Sequence, residues 1–122
     1  MKLNHLNLPV PDVAHTSAFF EKYFYFTCIE VKGDNALAIL KGQDDFTLVL
    51  MGPSFYRNSN ATYPDALHIG FLMQEPAQVE QLYNRLTADG MLLTQQPRNM
   101  RGVYGFYFYA PGSILTEISC PI

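Results

Sequence analysis

Two short apolar runs, HLNLPVPD (5–12) and HIGFLMQE (68–75), each open on a histidine and end on an acidic residue. Within both, bulky apolar side chains recur at alternate positions, the signature of a strand buried on one face. Leu6, Leu8 and Val10 share one face, with His5 and Asn7 on the other; Ile69, Phe71 and Met73 lie opposite His68 and Gly70. Each run then passes into helical spacing. At an offset of 63 residues, from His5 to His68, Asp12 falls on Glu75, Phe19, Phe20 and Tyr23 fall on Leu82, Tyr83 and Leu86, and Ile29 falls on Leu92. The spacing predicts a first helix from about Asp12 to Phe24, with Asp12 as its N-cap. A second runs from about Pro76 to Asp89 and stops at Gly90.

Three strand candidates follow each helix: TCIEV (27–31), NALAILK (35–41) and DFTLVLM (45–51), then MLLTQ (91–95), YGFYFYA (104–110) and ILTEISC (114–120). Turn residues separate them, notably Lys32-Gly33-Asp34-Asn35 and Pro111-Gly112-Ser113. Each half therefore reads β-α-β-β-β, with the offset growing late in the module. Residues 1–122 form one α+β domain: module one over 1–51, a Gly, Pro, Ser and Asn-rich linker loop over 52–65, and module two over 66–122.

Composition narrows the partners. With 48% hydrophobic and 16% charged residues, the chain buries a core rather than staying disordered. A net charge of −3 without a Lys/Arg cluster argues against nucleic acid, which demands a basic face. The apolar runs are too short for a membrane span, and the N-terminus shows no signal-peptide core, so a cytoplasmic setting is expected. Cys28 and Cys120 lack metal-type spacing and are read as free thiols.

The helices seat on the bulky apolar faces, so His5 and His68 point to the helix-free side of the sheet, where Gly70 leaves space. In ILTEISC, Ile114, Thr116 and Ile118 share one face and Leu115, Glu117 and Ser119 the other. A carboxylate in mid-strand is costly unless it is paired or coordinated. Two readings stand. The histidines are ordinary hydrogen-bonded strand residues and Glu117 pairs with Arg98 or Arg101; or two imidazoles and one carboxylate hold a divalent metal with open positions. His15, on the first helix, has no partner pattern and reads as solvated.

The segments HLNLPVPDVAHTSAFFEKYFYF (5–26), HIGFLMQ (68–74) and GFYFYAPGSILTEI (105–118) resemble the vicinal oxygen chelate superfamily, which holds glyoxalase I, extradiol dioxygenases, and fosfomycin- and bleomycin-resistance proteins. The resemblance spans the chain. It implies two βαβββ modules forming a cupped, partly open mixed-sheet barrel, the glyoxalase/bleomycin resistance/dihydroxybiphenyl dioxygenase fold. It also implies metal ligands at His5, His68 and Glu117 and a divalent ion such as Fe, Mn, Zn or Ni. Where many members carry Leu-Gly-Phe after the first helix, this chain has Phe24-Tyr25-Phe26, altering a helix stop. The Asp-Pro-Asp-Gly-Asn turn of the family reads Ala110-Pro111-Gly112-Ser113-Ile114. The window that supplies a fourth ligand in glyoxalase I, FTLVLM (46–51), holds no carboxylate or imidazole, which disfavours that isomerisation.

The resemblance implies a lyase, dioxygenase or transferase acting on a small oxygenated substrate. Arg98 and Arg101, in the loop 95–105, are candidates to hold a carboxylate or phosphonate; Tyr104 and Phe108 are candidate pocket walls, and Asn7 a candidate neighbour of His5. Both arginines also read as solvated loop charges, and both aromatics as core. Members of this length usually dimerise, so a homodimer with shared sites is expected. The alternative is a metal-free, antibiotic-binding protein of the bleomycin-resistance type.

Overall fold

The computed structural model describes residues 1–56 and 63–122. The chain divides into two compact units, Met1–Thr62 and Tyr63–Ile122. The first unit contains β1 (His5–Pro9), α1 (Val13–Phe24), β2 (Thr27–Lys32), β3 (Leu37–Lys41) and β4 (Thr47–Met51). The second contains β5 (Ile69–Leu72), α2 (Pro76–Ala88), β6 (Arg98–Met100), β7 (Val103–Ala110) and β8 (Ile114–Pro121). Each unit is the expected βαβββ module, and each sheet is open and mixed, ordered β1-β4-β3-β2 and β5-β8-β7-β6. The first strand of a module runs parallel to the last, and the remaining pairs are antiparallel. Residues 57–62, in the expected linker loop, lie outside the described residues; Pro53–Phe55 before them form a short 3₁₀ turn.

Local chemistry places the helices. Asp12 has extended backbone, and its carboxylate accepts from the His15 N–H at 3.0 Å, satisfying an orphan donor of α1. Glu75 and Gln78 form a reciprocal capping box on α2, with Pro76 in the first turn. One stripe of α1, including Val13, Phe19, Phe20 and Tyr23, is buried, as are Leu8, Leu40, Leu48 and Leu50 of the sheet. On α2 the buried stripe is Val79, Leu82 and Leu86, beneath which lie Phe106, Ile114 and Ile118. Tyr83 meets Phe106 edge-on, with ring centroids 5.4 Å apart.

One expected strand is absent. MLLTQ (91–95) has no strand pairing, and Leu92 is 95% exposed. The second module instead opens its hairpin with β6, three residues from Arg98, inside the segment expected to be loop. The two-residue turn Arg101-Gly102, with both φ values positive at 47° and 86°, sets that pairing. Pro97, just before β6, has no N–H to extend it.

Candidate metal centre

Strand alternation presents His68 and Glu117 together. Gly70 pairs with Glu117 across the parallel β5–β8 ladder, and a Cβ at Gly70 would meet the Glu117 Cβ at 3.9 Å and its carbonyl oxygen at 4.0 Å. His68, one residue before β5, brings Nε2 to 3.8 Å from Glu117 Oε1; the two side chains are 41% and 22% exposed. The other ring nitrogen, Nδ1, lies 3.1 Å from the Ala66 carbonyl. A carbonyl only accepts, so Nδ1 is the nitrogen that donates there and Nε2 is the one turned toward Glu117. His5 repeats this arrangement, with Nδ1 2.8 Å from Asn4 Oδ1. A histidine whose Nδ1 is fixed by an oxygen acceptor and whose Nε2 is free is set up to ligate.

Glu117 is held at both oxygens. Tyr107, its cross-strand partner, donates its hydroxyl to Oε1, and Ser119 Oγ donates to Oε2 at 3.1 Å. The Tyr107 ring stands edge-on to His68, with centroids 5.5 Å apart. The hydrogen bond to Glu117 raises the Tyr107 hydroxyl above its ordinary 10.0; desolvation and the carboxylate charge add to this, and the Arg101 guanidinium opposes it. Glu117 therefore has tyrosine, serine and histidine neighbours, and no described ion pair links it to Arg98 or Arg101.

His68, Tyr107 and Glu117 line an open cavity of about 1100 Å³ on the helix-free face of the second sheet. Arg98 and Arg101 line it too. Tyr104 does not: it lies on the helix-bearing face, where its hydroxyl donates to Glu80 of α2 at 2.9 Å. Phe108, 4% exposed, borders the cavity from the buried layer, its ring 5.9 Å from Phe106. Asn7 belongs to the first unit and donates to Met51 Sδ at 3.6 Å. His15 is exposed on α1.

Sequence reasoning missed Tyr107 and Ser119 as partners of Glu117, although signals for both were present. The tight turn at Pro111–Ser113 sets Ala110 against Ile114, and counting back from it sets Tyr107 against Glu117. The same register identifies Val49, opposite Asn7, as the first-module counterpart of Glu117, opposite Gly70. An apolar side chain thus stands where the second module carries its carboxylate. Among the described residues, no group of three or more His, Cys, Asp and Glu side chains forms a metal cluster. His68 and Glu117 supply two donors of the type divalent ions take, and the geometry of each fits that role.

Among curated proteins, none matches the chain significantly. Solved structures do. A possible glyoxalase from Bacillus cereus is 38% identical over 98% of this chain and 99% of its own, with a TM-score of 0.87. A genomically encoded fosfomycin resistance protein from Listeria monocytogenes is 21% identical over 100% and 94%, with a TM-score of 0.79. A lactoylglutathione lyase from Agrobacterium tumefaciens is 20% identical over 98% and 92%, with a TM-score of 0.74. The family model that matches covers residues 2–118. With its two βαβββ modules, the chain belongs to the Glyoxalase/Bleomycin resistance protein/Dioxygenase superfamily.

Proposed function

We propose that this protein is a metal-dependent enzyme acting on a small oxygenated substrate, with His5, His68 and Glu117 as the ligands of one divalent ion. The observation that carries this reading is the His68–Glu117 pair. The Ala66 carbonyl fixes the imidazole tautomer so that Nε2 faces a carboxylate held at both oxygens. His5, with Nδ1 against Asn4, is prepared in the same way to give the third donor. A bound Fe, Mn, Zn or Ni ion would supply Lewis acidity to neighbouring substrate oxygens. The protein's own contribution is to present unprotonated imidazole nitrogens, to orient the carboxylate, and to wall the substrate with the cavity. Tyr107 keeps its hydroxyl proton at neutral pH and can share it with a substrate oxygen lying beside Glu117.

The working form in this reading is a homodimer, in which His5 of one protomer joins His68 and Glu117 of its partner. Large apolar side chains left exposed in the second unit support a covering subunit: Leu72 at 71%, Tyr109 at 63% and Leu92 at 95%. No described helix is long and apolar enough to cross a membrane. The free thiols Cys28 and Cys120 suit a reducing, cytoplasmic setting.

Metal analysis of untagged protein purified without chelator tests the proposal. Wild type is expected to hold about one divalent ion per chain, and His5→Ala, His68→Ala and Glu117→Gln to lose it. Mixing His5→Ala with His68→Ala protomers should restore metal only if the site is shared. Wild type without metal, and with no uptake on incubation with these ions, overturns the enzyme reading and leaves a metal-free ligand-binding protein.

A further inference from the structure

The cavity of the second unit is charged at both ends. His68 and Glu117 flank it at β5 and β8, whereas Arg98 and Arg101 belong to β6 and its turn at the other edge of the sheet. The chain carries a net charge of −3, yet this cavity is lined by two guanidiniums and one carboxylate. Neither guanidinium forms an ion pair with a described acidic side chain. Two guanidiniums lining one cavity without an acidic partner are an attraction for an anion.

The backbone aims both residues. Arg98 stands directly opposite Gly105, on the face that carries Tyr107 and Glu117. Gly105 has no side chain, so the Arg98 stem can lie across the strand toward the cavity. Arg101 occupies the first position of a two-residue turn with φ 47°, a conformation suited to Asn, Asp or Gly and disfavoured for arginine. A long charged residue kept in that conformation, lining a cavity, marks a position where function outweighs local preference. Arg101 also lies near enough to Tyr107 for its charge to act on the phenol. In the same wall, Gln95 Oε1 is buried with no hydrogen-bond partner and would be satisfied by a ligand hydroxyl.

We infer that Arg98 and Arg101 form an oxyanion clamp, so that the ligand of this cavity is a small organic acid. Its carboxylate, phosphonate or phosphate group sits at the β6–β7 hairpin while its oxygen-bearing end reaches His68 and Glu117. Gly105 and Tyr107, two residues apart on β7, are separated by about 7 Å, which a molecule of a few bonds can bridge. The inference rests on the reading of this cavity as the working site, but the clamp itself involves no metal.

Calorimetric titration of chelator-treated, metal-free protein tests it with inorganic phosphate, methylphosphonate and acetate as probes and acetamide as the neutral control. Wild type is expected to bind at least one of the anions, and acetamide not at all. Arg98→Gln and Arg101→Asn should each weaken that binding about tenfold, the loss expected for one charge-assisted contact. Arg101→Asn keeps a residue at home in the turn, so the hairpin persists, and Arg101→Lys should recover part of the affinity. Absence of anion binding in wild type overturns the clamp, as does unchanged binding in the double variant. Binding in metal-free protein that never takes up metal sinks the metal centre and leaves the clamp standing. Metal uptake with indifference to both arginines does the reverse.

Discussion

The Tyr107 hydroxyl donates to Glu117 from directly across the β7–β8 ladder, while Ser119 holds the other carboxylate oxygen from its own strand at 3.1 Å. The carboxylate is thereby fixed in rotation before any ligand arrives. A donor pair that orients a ligating carboxylate contributes to metal affinity without touching the ion. Tyr107→Phe and Ser119→Ala should each lower metal affinity roughly tenfold, with a stability loss of about 1 kcal/mol. Competition against a chromophoric chelator measures the first and denaturant titration the second. Tighter metal binding by Tyr107→Phe would show instead that the hydroxyl competes with the ion for Oε1.

The two hydrogen-bonded phenols give a pH signature. Glu117 raises the Tyr107 hydroxyl above 10.0, and Glu80 does the same to Tyr104. A pKa raised by folding means the protonated form is favoured in the native state. The stabilisation is therefore complete below the unfolded value and disappears as pH rises through the folded one. Wild type should lose stability above pH 10 more steeply than the Tyr104→Phe, Tyr107→Phe double variant. Denaturant midpoints across that range decide the point: parallel curves would mean that neither hydrogen bond persists in solution.

Gly105 and Gly70 both flank the site, yet they should respond oppositely to the same substitution. A Cβ at Gly105 would collide with the Ile118 carbonyl and approach Ser119 Cα to 2.8 Å, both on the paired strand. Backbone cannot yield without parting β7 from β8, so Gly105→Ala should cost about 2–4 kcal/mol. At Gly70 the nearest contact for a new Cβ is 3.9 Å away. Gly70→Ala should fold with a change below about 1 kcal/mol while adding a methyl group beside Glu117. Paired thermal melts separate the two.

Much of this molecule is legible in its sequence. Both helices follow from apolar spacing and their caps, because a stripe such as Val79, Leu82 and Leu86 has no other stable arrangement. Alternation alone placed His68 and Glu117 on the helix-free face. The same rule, carried further, would have moved Tyr104 off the site, since it shares parity with the buried Phe106 and Phe108. Other features were not local. MLLTQ has strand-like composition, but pairing is set from the far side of the hairpin, by Arg101-Gly102, and reaches back only to Arg98. That Glu117 takes a tyrosine rather than an arginine depends on the register of two strands, which a reading of one strand at a time does not contain.

Tyr25 offers a prediction at the departure from the family's helix stop. It caps α1 in the left-handed region, at φ 59°, with its N–H donating to the Phe20 carbonyl. Its ring is 72% exposed, so little apolar burial offsets the strain. A non-glycine residue in that conformation costs about 1–2 kcal/mol, and part of the gain on replacement returns as the greater freedom of an unfolded glycine. Tyr25→Gly should therefore stabilise the protein by about 0.5–1 kcal/mol, raising Tm by a few degrees for a domain of this size. Metal content should not change, since the residue is remote in sequence from the ligands and lies on none of their strands. A fall in Tm accompanied by a shift toward monomer in sedimentation would carry a different meaning: the exposed ring is then covered by a second copy of the chain, and the strained stop is retained for the interface.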